Sequence, residues 1–131
     1  MADLTQRDIY LLVNQSNLEE KPLWLNGADL RGINLAGAHL AGADLRKATL
    51  LGVDMSSANL TNAKLTGANL TGANLENANL TGCSLENATL VLANFLDAQF
   101  DGTNLAGATY NQDTIWPEGF NPQPAGARFI E

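Results

Sequence analysis

The chain has 131 residues, a formal net charge of −7 and an isoelectric point near 4.4. Its length fits one domain, and its acidity argues against a nucleic-acid-binding surface. A lone cysteine excludes an intramolecular disulfide and suits a reducing compartment.

Residues 1–22 lack any repeat and are expected to form an N-terminal helical cap. Thr5 followed by Asp8 is a capping-box spacing with Asp in the usual Glu place. Ile9, Leu12 and Val13 fall at i, i+3 and i+4, the apolar face of a short helix. The spacing predicts a helix from about Thr5 to Asn14, with Pro22 closing the segment. The apolar run Ile9–Val13 is too short to cross a membrane and has neither a basic leader nor a cleavage site. The expectation is a cytoplasmic protein with no membrane partner.

From residue 23 to 112 the chain repeats every five residues, most plainly in TGANL-TGANL-ENANL at 66–80. Stepping by five from Leu25 to Tyr110 meets only large apolar side chains, with Met55, Phe95, Phe100 and Tyr110 the departures from Leu. At a 45% apolar background, eighteen such residues in succession arise by chance on the order of once in a million. Two residues before each of these centres stands Ala, except at Leu23, Ile33, Val53, Cys83 and Thr103. In extended chain a spacing of two puts both side chains on one face. Leu and Ala therefore point into a common interior, and the residue between them, mostly Asn, Asp, Thr or Ser, points out. The other residues of each phrase form a corner, where the frequent Gly or Asn accepts positive φ.

The run of Ala-(Asn/Asp)-Leu-X-X phrases resembles the pentapeptide repeat family. That resemblance implies an all-β fold, a right-handed quadrilateral β-helix with four phrases per coil and about 4.5 coils. Twenty-residue coils would stack Leu30, Leu50, Leu70, Leu90 and Tyr110 in one inner ladder and Leu35, Met55, Leu75 and Phe95 in the next. Residues 113–131 form a Pro/Gly-rich C-terminal tail, expected to be an irregular cap. Counting by fives makes Ile115 the next interior residue, after which Pro117, Pro122 and Pro124 should stop regular pairing. Trp116, Phe120 and Phe129 suit a position across the last coil. The Trp-Pro-Glu-Gly-Phe tail resembles those of cyanobacterial members of the family.

Chemistry-bearing residues are sparse. His39 takes an outward position and Cys83 an inward Ala position, so a Cys–His dyad would straddle the wall. No Cys, His and carboxylate spacing suits a metal, and the glycines recur at fives rather than in a phosphate loop. Neither enzymatic activity nor a cofactor is expected. The Asn and Asp before the centres, such as Asn34, Asp54, Asn74 and Asn94, are expected to bond backbone groups at the corners.

Most outward residues are small, polar or charged, with four exceptions: Leu51, Val91, Leu92 and Leu96. Leu51 and Val91 lie on one side two coils apart, and Leu92 and Leu96 lie at and beyond the following corner. They are the candidate protein contact of a structural or interaction module with an unidentified protein partner, present as monomer or homodimer. The alternative is a DNA mimic that binds DNA gyrase or another DNA-binding protein, since the family includes quinolone-resistance proteins of that kind. A 20 Å length of duplex carries about twelve charges. Residues 23–112 hold seven acids and four bases, a net −3, which falls well short.

Overall fold

In the computed structural model, the structure describes Asp8, Ile9 and residues 23–131. Asp8 and Ile9 are helical, and Ile9 is buried in the main core. The rest of the helix expected over Thr5–Asn14 lies outside the described residues.

The five-residue phrase becomes one wall and one corner of a four-sided tube. Wall residues pair in parallel with those twenty positions on, as in Trp24–Asp44–Lys64–Ser84–Asn104 and His39–Asn59–Asn79–Gln99. The other two walls carry Asp29–Thr49–Asn69–Thr89–Thr109 and Asn34–Asp54–Asn74–Asn94. Each wall takes its name below from its first interior leucine: Leu25, Leu30, Leu35 or Leu40. The ladders are tight; Leu50 N–H donates to Asn69 O at 2.8 Å, and Asn69 N–H donates to Ala48 O at 3.0 Å.

Each corner is a β-turn closed by an amide three residues beyond the centre, as where Ala68 N–H donates to Leu65 O at 3.0 Å. The second residue after every centre from Leu25 to Leu105 has positive φ, the mark of a type II turn. Glycine fills most of these positions, but Lys47, Ser57, Asn62, Asn77, Asn87, Leu92 and Asp97 adopt the same conformation. The first corner residue's amide is held from the wall: Asn34, Asp44, Asp54, Asn59, Asn69, Asn74, Asn79, Asn94 and Asn104 each accept it with Oδ1. This is the backbone role expected of the Asn and Asp residues.

The interior is a continuous apolar column. Leu30, Leu45, Leu50, Met55, Leu60, Leu65, Leu70, Leu75, Leu80, Leu85, Leu90 and Phe95 are fully buried, with the Ala positions packed beside them.

The C-terminal end departs from the beat. The corner after Tyr110 has three residues, Asn111, Gln112 and Asp113, so the next wall residue pairs twenty-one positions on, as Asn94 with Ile115. Ile115 is therefore not the next interior residue. Thr114 fills the small inward position, Ile115 faces out, and Trp116 takes the interior place. Aromatic packing explains the slip. The Trp116 ring stacks on Phe95 at 5.3 Å and meets Tyr110 edge-on at the same distance. Phe120 continues the cluster against Phe100 at 4.8 Å. Thr114 Oγ1 donates to Leu90 O at 2.9 Å, just as Thr103 Oγ1 donates to Leu80 O at 2.7 Å, so each hydroxyl at an Ala position finds a carbonyl.

The prolines interrupt pairing but do not end it. After an irregular stretch the chain rejoins the Leu30 wall, where strand β1 (Thr109–Tyr110) pairs in parallel with strand β2 (Arg128–Phe129). The C-terminal segment is thus irregular only in its middle.

Candidate protein-contact surface

The four apolar residues singled out in the sequence fall at two neighbouring corners. Leu51 and Val91 are first residues of the corner between the Leu30 and Leu35 walls, two coils apart and half-buried. Their carbonyls accept the amides of Gly32 and Gly72, which fixes that ridge. Leu92 is the second residue of the same corner and is 50% exposed. The equivalent residues in the coils below are Gly32, Gly52 and Gly72, whereas Leu92 holds φ at 63°. A left-handed conformation costs a branched, bulky side chain roughly 1–2 kcal/mol. Leu96 opens the next corner, is 40% exposed, and donates its amide to Asn94 Oδ1 at 3.0 Å.

Sequence counting missed a fifth member. Ile115 lies on the Leu35 wall above Asn94, between those two corners, and is 47% exposed. Its N–H donates to Ala93 O and its carbonyl accepts Phe95 N–H, so it belongs to the ladder and not to a loose tail. Thr114 two residues before Trp116, like Thr103 two before Leu105, was the available signal for the shifted register. Trp24 and Phe129 are also exposed but lie on the Leu25 and Leu30 walls, and Ile130, exposed too, follows Phe129 and donates its N–H to Tyr110 O.

Acidic groups surround this surface. Asn111 Oδ1 accepts from both Leu92 N–H and Asp113 N–H, which brings Asp113 to the corner of Leu92. Asp97 follows Leu96 directly, and Glu76 occupies the place of Leu96 one coil below. The ion pairs among the described residues lie elsewhere, at Asp29–Arg31 and Asp44–Arg46, each 2.7 Å. The guanidinium hydrogen bonds of Arg31 and Arg46 hold those two carboxyls below the usual range, and a bond from Ser56 does the same for Asp54.

The chemistry-bearing candidates stay apart. His39 is exposed on the Leu40 wall, while Cys83 is fully buried inside. Burial pushes the Cys83 thiol up to about 12, so it stays protonated and unreactive. Among the described residues no group of His, Cys, Asp or Glu could hold a metal ion.

Walls of single bridging residues, stacked at twenty-residue intervals around an apolar column, define a quadrilateral β-helix. The chain belongs to the pentapeptide repeat family: the family model described as "Pentapeptide repeats (8 copies)" matches residues 25–62, 58–96 and 68–107. Solved members of the family share the architecture, a right-handed quadrilateral β-helix. The pentapeptide repeat protein Rfr23 from the cyanobacterium Cyanothece 51142 is 43% identical with a TM-score of 0.72, over 73% of this chain and 65% of that one. The protein alr5209 from Nostoc PCC 7120 is 30% identical with a TM-score of 0.54, over 93% of this chain and 95% of that one. HetL from Nostoc sp. strain PCC 7120, involved in heterocyst differentiation regulation, is 32% identical with a TM-score of 0.63, over 67% of this chain and 44% of that one. Among curated proteins, none matches the chain.

Proposed function

We propose that this protein is a non-enzymatic interaction module whose contact surface is the C-terminal part of the Leu35 wall and its two corners. The observation that carries this reading is the grouping of Leu92, Leu96 and Ile115, all at least 40% exposed, on one side of the tube. Large aliphatic side chains gathered outside a fold that already has a filled interior favour contact with another protein. Val91 and Leu51 extend the apolar strip down the adjoining corner. The remaining elements serve the rod: the buried Ile9 supports a cap at the N-terminal end, and the aromatic cluster closes the last coil.

The test is quantitative capture from a cyanobacterial lysate on the immobilised protein, beside a Leu92→Gly/Leu96→Thr variant. A protein retained by the wild type and lost by the variant supports the reading. Identical catches on both baits sink it. Recovery of gyrase subunits equally by both would favour mimicry of DNA instead.

A further inference from the structure

The charge of the tube is divided along its axis. Residues 23–64 hold four bases, Arg31, Arg46, Lys47 and Lys64, against Asp29, Asp44 and Asp54, a net +1. From residue 65 on stand Glu76, Glu86, Asp97, Asp101, Asp113 and Glu118, a net −6, with Arg128 and Glu131 offsetting each other at the C-terminal end. None of these six forms an ion pair among the described residues. Leu92, Leu96 and Ile115 lie within this acidic part, with Asp113 at one corner and Glu76 and Asp97 at the other.

That setting selects the partner. A neutral segment laid on Leu92, Leu96 and Ile115 would strip water from the bordering carboxylates and return nothing, and an acidic one would add like-charge repulsion. A cationic segment gains on both counts. The wall, three extended residues between two corners, is roughly 10 Å across. An α-helix with its side chains has about the same diameter.

We infer that this surface docks a basic amphipathic helix of a partner protein, its apolar face on Leu92, Leu96 and Ile115 and its Lys or Arg side chains against Glu76, Asp97 and Asp113. The inference rests on the reading of this wall as a contact surface and adds the chemistry of the occupant.

The experiment is panning of a phage-displayed library of random peptides against the full chain, followed by titration of the synthesised winners. Enriched peptides are expected to carry net positive charge with apolar residues at helical spacing. They should bind at least about tenfold more weakly to the Leu92→Gly/Leu96→Thr variant and to a Glu76→Gln/Asp97→Asn/Asp113→Asn variant. Affinity should also fall as added salt screens the carboxylates. Glycine suits the φ of residue 92, and circular dichroism of both variants, recorded first, is expected to match the wild type. A neutral or acidic consensus, or undiminished binding to the carboxylate variant, overturns the basic partner while leaving the contact surface standing. So does a wild type that sediments as a dimer beside a monomeric Leu92→Gly/Leu96→Thr variant, because the occupant is then a second copy. No enrichment, or equal binding to the apolar variant, overturns both.

Discussion

Between Ala43 and Ala93 the tube is built almost wholly from leucine and alanine, and every coil there repeats the last. At the C-terminal end Phe95, Phe100, Tyr110, Trp116 and Phe120 fill the same column, and the regularity fails within one coil. The difference lies in what each interior asks of the backbone. Leucines of equal volume stack without adjustment, so the walls keep a strict twenty-residue interval. Rings must meet at allowed angles, stacked or edge-on, and the chain accepts a three-residue corner to let Trp116 lie at 14° to Phe95. An interior demand thereby changes the outside: the residue that counting by fives would bury, Ile115, is turned toward solvent.

Substitutions in the two columns should separate them most widely. Phe95→Ala removes the ring on which Phe100 and Trp116 rest, and a loss of about 3–5 kcal/mol is expected. Leu70→Ala, in the regular part, should cost about 2–5 kcal/mol. Coils contact only their neighbours, so hydrogen exchange should distinguish the two. Phe95→Ala is expected to lower amide protection first in residues 90–130, and Leu70→Ala around residues 48–92. Equal loss throughout in both variants would mean that the tube unfolds as one unit.

Corner stacking offers the next contrast. A Cβ at Gly82 would lie 2.2 Å from Asn62 Oδ1, whereas one at Gly52 meets nothing within 4 Å. Both positions have positive φ, so each alanine carries the left-handed penalty of roughly 1–2 kcal/mol. Gly82→Ala should be the more damaging in thermal melts, and Asn62→Gly should recover the excess. If the two alanines melt alike, the Asn62 side chain moves aside freely.

Cys83 provides a pH test of the regular interior. Its folded thiol titrates near 12 against about 9 in the unfolded chain, so between those values only the unfolded state loses the proton. Stability therefore falls with rising pH across that window, by up to about 1.4 kcal/mol per unit. Cys83→Ala should flatten this part of the denaturation profile, and thiol reagents should modify Cys83 only on unfolding.

The smallest effect is expected from deleting Gln112. Asn111 and Asp113 would then make an ordinary two-residue corner, with Thr114, Ile115 and Trp116 keeping their inward, outward and inward places. Trp116 would lose the reach that stacks it on Phe95, and stability should fall by about 1 kcal/mol. No loss would show that Trp116 stacks on Phe95 without the longer corner.

Most of the tube was legible because the walls and corners obey one local rule. The centres from Leu25 to Leu105, the inward Ala positions and the corner bonds of Asn and Asp follow from a spacing of two in extended chain. The corner conformation at Lys47, Ser57, Leu92 and Asp97 could be read from phrase position, though not from residue type. Ile115 was misplaced because Ile115 and Trp116 are both large and apolar, and a period cannot choose between them. That choice rests on ring packing among residues distant in sequence. Of the proposed surface, Leu51, Val91, Leu92 and Leu96 stand out in the sequence as apolar residues at outward positions, while the exposure of Ile115 required the register.

The interval of five governs the interior, but the interval of twenty governs the exterior. Adding five residues in the middle of the tube would leave every leucine in the column and every corner closed. It would also turn everything beyond by a quarter of a revolution, carrying Leu92, Leu96 and Ile115 to a different compass bearing from the basic first coils. Adding twenty would only raise them by one storey, about 5 Å. Growth by single phrases therefore re-aims the surface of such a tube without disturbing its folding rule, and growth by whole coils lengthens it without re-aiming.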